Sequence, residues 1–392
     1  MARNARTFLF AWAIVFAAFG AAEAQEMPRS GTDRATAPEI RQSGWDAAGL
    51  DRVVAFAKSL STDTLLIVSH GKAVASLGDA SQRYSVHSIR KALLSALVGQ
   101  NAGKGPKRID LDATLAQLGI DDSPEPLSPR QKQATVRHLI RSISGINHRA
   151  AAEEGQREER TRRLGAGENE PGSKWAYNNW DYNALTTIFE RRTGLSIGAA
   201  FMAGFARPAG MADFSASDVS YVAAPQVSRH RAAMFRMSGR DLALFGRLYL
   251  NGGAVDGKRL LPRSWIDRIA AEAVATGMGG LRAGHSYLWW VPSPDTGLPA
   301  GSFWALGLGH QAVIVVPAWH TVIVHQADMA VFMRRFLGLI GERGMAPKAA
   351  LESLAVSCLG VAARTSDFCR NDRFVLRREF RQLISLIAAA RR

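Results

Sequence analysis

Segments with strand character stand near both ends of this chain, and the residues between them are patterned as helices. Early on, Thr64-Leu-Leu-Ile-Val-Ser69 and Ala73-Val-Ala-Ser-Leu77 flank His70-Gly71-Lys72. Two apolar runs around a short Gly-bearing turn form a β-hairpin. Strand character returns only at 286–291, 312–316 and 321–325, the last two separated by a turn at Pro317. Between them, 88–100 repeats at helical spacing, with Ile89, Ala92, Leu93, Ala96 and Leu97 on one face; 136–143, 182–192 and 238–250 are helical too, each stopped by a Gly-bearing turn. Hairpins are marginal alone, so the early and late strands must share one sheet. The order predicts an α+β fold, an α/β sandwich: an antiparallel sheet flanked by helices, with a mostly helical domain inserted between early and late strands. The sheet domain takes 46–99 and 286–345, and the insertion takes 100–285. A basic C-terminal tail, 346–392, holds nine basic and four acidic side chains.

The first 24 residues are expected to be absent from the working protein. Arg3 and Arg6 precede an apolar run from Phe8 to Phe19, and Ala22-Glu23-Ala24 sets small residues before a cut. That is a signal-peptide pattern with cleavage after Ala24, and the run is shorter than the roughly 20 residues a spanning helix needs. The mature chain, beginning with a leader at 25–45, is expected in the periplasm or secreted, without an integral membrane span. Net charge is +15, but the arginines are scattered and no basic stripe alternates with stacking aromatics. Nucleic acid is therefore not expected as a partner; weak attraction to an anionic envelope is the softer reading. The two cysteines, Cys358 and Cys369, both lie in the tail, where an oxidising compartment would let them close a small loop. With no cysteine elsewhere, a thiol nucleophile or thiolate metal site in the main body is excluded. No metal or other cofactor is called for.

The chain has no G-x-S-x-G elbow, Walker loop or H-E-x-x-H. It has S-x-x-K twice. Ser69 to Lys72 spans the hairpin turn, where a lysine meets water. Ser88-Ile-Arg-Lys91 opens an apolar helix, where positions i and i+3 share a face. Burial there would lower the pKa of Lys91 and let it serve as a base, and the helix N-terminus offers free N–H groups to an oxyanion. On local grounds alone, a helix-capping Ser88 and a solvated Lys91 fit equally well. Tyr177-Asn178-Asn179, just before the helix near Tyr182, adds a phenol and an amide; taken alone, Tyr177 reads as a packed aromatic.

Together these stretches resemble the serine β-lactamase and penicillin-binding-protein superfamily, in its class C β-lactamase-like branch. The likeness runs through Val86-His-Ser-Ile-Arg-Lys91-Ala-Leu-Leu-Ser95, Thr135 to Gly145, and Pro171-Gly-Ser-Lys-Trp-Ala-Tyr177-Asn-Asn179-Trp. Phe235-Arg-Met-Ser-Gly-Arg-Asp241 and Tyr287-Leu-Trp-Trp290 look closest to 6-aminohexanoate-dimer hydrolases and related esterases. The resemblance spans about 47–340 and implies Ser88 as nucleophile, Lys91 as base, Tyr177 as proton relay and Asn179 as the partner of Lys91 and substrate. The family's third motif, Lys-Thr-Gly or His-Thr-Gly, is altered: the candidate stretch is Trp304-Ala-Leu-Gly-Leu-Gly-His-Gln311. In the preferred register Ala305-Leu306-Gly307 fills the motif, the N–H of Leu308 is the second oxyanion donor, and Gln311 ends the stretch. In the other, His310-Gln311-Ala312 fills it and His310 replaces the cation. Without that cation a β-lactam carboxylate loses a partner worth about 1.5–3 kcal/mol. Trp180 and Trp290, with Trp175 and Trp304, are candidates to line an acyl pocket, and the charged 149–163 loop is a candidate lid.

These readings predict an exported serine hydrolase, an esterase or amidase, acting on small-molecule or peptide-like substrates through a Ser88 acyl-enzyme. The alternatives are a D,D-peptidase or β-lactamase working on the cell wall, and a non-catalytic envelope binding protein.

Overall fold

All six residues of β1 (Thr64–Ser69) are buried, because the strand is flanked by neighbours on both sides in a sheet covered on both faces. The side-chain period of two then sorts its residues: Leu66 and Val68 face one core, Leu65 and Ile67 the other. The structure, a computed structural model, describes residues 35–153, 157–341, 344–345, 375 and 377–392. The candidate signal peptide and both cysteines lie outside the described residues.

The remaining strands are β2 (Lys72–Leu77), β3 (Arg83–Ser85), β4 (Val219–Ala224), β5 (Ser228–Ser238), β6 (Ala254–Val255), β7 (Lys258–Arg259), β8 (Val274–Ala275), β9 (Gly284–Ser286), β10 (Trp289–Val291), β11 (Phe303–Leu306), β12 (Ala312–Val316) and β13 (Thr321–Gln326). Eight form one antiparallel sheet in the order β2-β1-β13-β12-β11-β10-β9-β8, so early and late strands do meet, with β1 against β13. The β1–β2 hairpin turns on His70 and Gly71, both at positive φ (49° and 79°) as a two-residue turn requires. Two details depart from the expectation. The expected strand at 286–291 is two strands, folded back through Tyr287 and Leu288 at φ 47° and 65°. The 100–285 segment is also less uniformly helical: β4 and β5 join β3 in a separate three-stranded sheet.

The helices are α1 (Ala37–Gln42), α2 (Ala47–Lys58), α3 (Arg90–Asn101), α4 (Val136–Ile140), α5 (Arg157–Leu164), α6 (Asn179–Thr193), α7 (Ile197–Phe201), α8 (Gly239–Leu250), α9 (Arg263–Ala271), α10 (Ala330–Gly341) and α11 (Arg377–Ala389). Helices α3, α6 and α8 pack in the larger core with the inner sheet face. Gly246 lets α8 lie against the strands, since a Cβ there would sit 2.5 Å from a methyl of Val322. On the outer face α11 packs along α2, burying Phe380, Leu383, Ile384 and Ile387 with Trp45, Leu50 and Val53. The end of the expected tail is therefore a covering layer of the sheet, placed there by its apolar stripe. Within the charged 148–172 excursion, buried Arg160 bonds Asn147 at 2.9 Å and pairs with Glu153. No helix among the described residues is long and apolar enough to cross a membrane.

Candidate active site

The site forms where α3 leaves the sheet domain. Ser88 lies in a short 3₁₀ turn, His87–Ile89, leading into α3. Val86 N–H donates to Phe235 O at 3.1 Å, tying the turn to β5, and His87 holds a left-handed φ of 46°. Such strain in a residue other than glycine persists only where its surroundings impose it, and it clusters at functional sites. Ser88 is half-buried, while Lys91, one turn on, is only 3% exposed. The Lys91 ammonium Nζ donates to Ser88 Oγ at 2.8 Å.

Two phenol rings flank that amine. Lys91 Nζ lies 4.8 Å from the centre of the Tyr177 ring and 4.9 Å from that of Tyr182. The Tyr177 ring stacks on Trp290 (5.3 Å between centroids, 21° between planes) and meets Tyr182 edge-on. Trp290 is in turn packed against Trp175 and His285. Ser142 O accepts from Ala176 N–H at 3.0 Å, fixing the segment that carries Tyr177. The Ser142 hydroxyl and the Tyr182 hydroxyl are 2.8 Å apart. Burial holds the Tyr182 phenol well above its usual range, so it remains protonated. Burial, and then the charge of Lys91, push His285 down to about 3; its imidazole is neutral near pH 7 and is no proton donor there.

Gly307, just past the end of β11, lies against the His87–Ile89 turn. A Cβ there would come 2.7 Å from Val86 O and 3.3 Å from His87 Cβ, so the strand approaches the turn only because this residue has no side chain. Leu308, half-buried, follows in a tight turn that Gly309 completes at φ 73°. Gly307 N–H donates to Gln311 O at 2.7 Å. The stretch thus runs beside the His87–Ile89 turn that carries Ser88.

Four expected site residues do other work. Asn179, expected to hold Lys91, donates to Ala152 O at 2.7 Å, and its Oδ1 accepts no hydrogen bond. Asn178 takes the N-cap of α6, bonding Trp180 N–H at 3.0 Å, which leaves Asn179 to anchor the neighbouring loop. Trp180 is fully buried and donates its indole N–H to Asp122 Oδ2 at 2.5 Å; it belongs to the core, not to an acyl pocket. His310 is no substitute cation: burial pushes it down to about 3, its Nδ1 contacts Val375 O at 2.6 Å, and its ring packs on Phe380. The Gln311 side chain is fully buried and bonds Ala327 O. Conversely, Tyr182, Ser142 and His285 belong beside the site but follow no short motif; the φ of 58° at Ser142 that marks strain is invisible in sequence.

Comparison with known proteins agrees with this fold. Solved structures with the same fold include a putative 6-aminohexanoate-dimer hydrolase from Bacillus anthracis, at 20% identity and TM-score 0.52, covering 77% of this chain and 81% of that one. A D-stereospecific amidohydrolase from Streptomyces sp. is 17% identical at TM-score 0.52, over 72% of this chain and 94% of that one. The octameric penicillin-binding protein homologue from Pyrococcus abyssi is 16% identical at TM-score 0.52, over 77% and 78%. No curated protein matches the chain. Residues 50–328, well over half of the sequence, match the Beta-lactamase family, and the chain belongs to that family.

Proposed function

We propose that this protein is an exported serine hydrolase, an esterase or amidase, that works through an acyl-enzyme on Ser88. The observation that carries the reading is the 2.8 Å contact between the buried Lys91 amine and the hydroxyl of half-buried Ser88. In the reactive form Lys91 is neutral, and its lone pair takes the Ser88 proton as Oγ attacks the substrate carbonyl. The tetrahedral oxyanion forms beside the Gly307–Leu308 backbone. Collapse breaks the bond to the leaving group, which takes a proton relayed through Tyr177. Water, giving its proton back along the same route, then releases the acid and restores Ser88. The fold relatives named as hydrolases of amide bonds support this chemistry by analogy only.

The test is labelling of the purified chain with a fluorophosphonate, read by mass spectrometry. The adduct is expected on Ser88, and p-nitrophenyl butyrate turnover should fall by about 10²–10⁴-fold in Lys91→Ala, the range for losing a general base. A folded protein that takes no label would favour a non-catalytic role.

A further inference from the structure

The two helices that begin at the active centre end together at a basic surface. Helix α3 starts beside Ser88 and α6 just past Tyr177; over 12 and 15 residues they rise about 18 Å and 22 Å from it. Beyond α3 the chain makes a loop, 103–108, in which every residue is exposed. Its neck is closed by Gly103 N–H donating to Ile109 O and Ile109 N–H to Asn101 O, both at 2.9 Å. Arg192, in the last turn of α6, clamps the loop from the side, donating to Arg108 O and Gly105 O at 3.0 Å each. That contact gathers Lys104, Lys107 and Arg108 with Arg191 and Arg192.

None of these five cations pairs with an acid among the described residues. The acids closest to them in sequence are engaged elsewhere. Asp110 accepts the Asp112 N–H at 3.0 Å, Asp112 pairs with Arg137 and feels Lys104 only more weakly, and Glu190 pairs with Arg231. The arginines donate to backbone carbonyls, which fixes them in place and leaves their charge uncompensated. Arginines in a last helical turn suit the helix dipole; Lys104 and Lys107, on a loop, have no such reason to be there. Beside them Leu195, just past the Gly194 cap of α6, is 48% exposed, one of three large apolar side chains so exposed among the described residues.

Cations around an exposed aliphatic side chain suit an anionic bilayer, where phosphates meet the charges and the apolar group reaches the acyl boundary. A single-stranded nucleic acid asks for stacking aromatics, and neither 103–108 nor 191–196 contains one. We propose that loop 103–108 and the C-terminal end of α6 form a docking surface for an anionic phospholipid bilayer, with the Ser88 site at the opposite end of both helices. The surface stands whether or not Ser88 is a nucleophile.

The test is co-sedimentation of the mature chain, from Gln25 onwards, with vesicles of phosphatidylcholine alone or mixed with phosphatidylglycerol. Binding is expected to the anionic vesicles only, and should fall away as salt rises from about 0.01 to about 0.5 M. One cation at such a surface changes partitioning about fivefold, so Lys104→Gln with Lys107→Gln should weaken binding about 20- to 30-fold. Leu195→Ser should weaken it as well. Arg41→Gln with Lys58→Gln, exposed on α1 and α2, removes the same charge elsewhere and should change binding less than about threefold. Any of three results overturns the surface: no binding to anionic vesicles, equal weakening by the two double variants, or binding to a single-stranded oligonucleotide without binding to vesicles. Because the readout is sedimentation, loss of esterase activity in any variant leaves the answer intact.

Discussion

At Gly307 a single methyl group separates a working site from a displaced one. Alanine there would meet Val86 O at 2.7 Å and Gln311 Cβ at 2.9 Å, and neither can swing aside as a flexible side chain does. Either β11 or the His87–Ile89 turn must move, and a shift of about 1 Å in a catalytic geometry costs roughly 100-fold. Gly307→Ala is therefore expected to lower kcat/KM about 100-fold while costing only about 1–3 kcal/mol of stability. Steady-state kinetics with a urea midpoint on the same variant checks this; unchanged kinetics would place the strand away from the reaction. The same scale shows what a sequence can carry. Ser88 and Lys91 are one helical turn apart, so local spacing was enough to bring them together. Asn179 fails that logic because the cap of α6 fell one residue earlier, at Asn178, which turned the next amide toward Ala152. Tyr182 and His285 reach the site through three-dimensional packing that no spacing rule encodes.

Among the elements, α11 departs furthest from what its sequence was taken for. Its arginines make 346–392 read as an appended basic tail, but the apolar stripe Phe380, Leu383, Ile384 and Ile387 is fully covered. Its C-terminal end ties back to the start of the fold, where Asp46 N–H donates to Ala390 O at 2.9 Å. The hairpin of β1 and β2 was legible because turn and strands are contiguous; the docking of α11 on α2 joins segments over 300 residues apart, and only the amphipathic stripe hinted at a partner. Phe380 also covers two buried histidines, with ring centroids 5.0 Å from His310 and 5.4 Å from His325. Phe380→Ala removes a fully buried ring, and the expected cost is about 3–5 kcal/mol. Urea unfolding of the variant measures it. A loss below about 1 kcal/mol would mean that α11 is not part of the cooperative unit.

For the molecule as a whole, buried histidines set the response to acid. Burial pushes His285 and His310 down to about 3, and His230 and His325 down to about 4. Burial holds His325 neutral, against the pull of the bond its Nδ1 makes to His310 O at 2.8 Å; its Nε2 lies 2.9 Å from Thr62 Oγ1. Each histidine binds a proton near pH 6.5 when unfolded but not when folded, so their stabilisation is complete above about pH 6.5 and is lost as pH falls. Two buried carboxyls act in the opposite sense: Asp241, raised to about 7 by burial and by Asp213, and Asp181, raised by burial. They bind protons more tightly when folded and gain stability over the same window. The depressed imidazoles, His138 and His70 among them, outnumber the raised carboxyls, which include Asp63, so the balance below pH 6 is a loss on the order of a few kcal/mol per unit. Against a total stability on the order of 5–15 kcal/mol, that slope unfolds the protein near pH 4 only if its stability lies at the low end of that range. Below pH 4 Asp122 adds to the loss: despite burial, His148 and the Trp180 indole hold it down to about 2, so the unfolded chain takes up that proton while the folded one does not. Urea midpoints taken at half-unit steps from pH 7 to pH 4.5 should fall steadily. Midpoints that stay level, or rise, would mean that the imidazoles take up protons without unfolding.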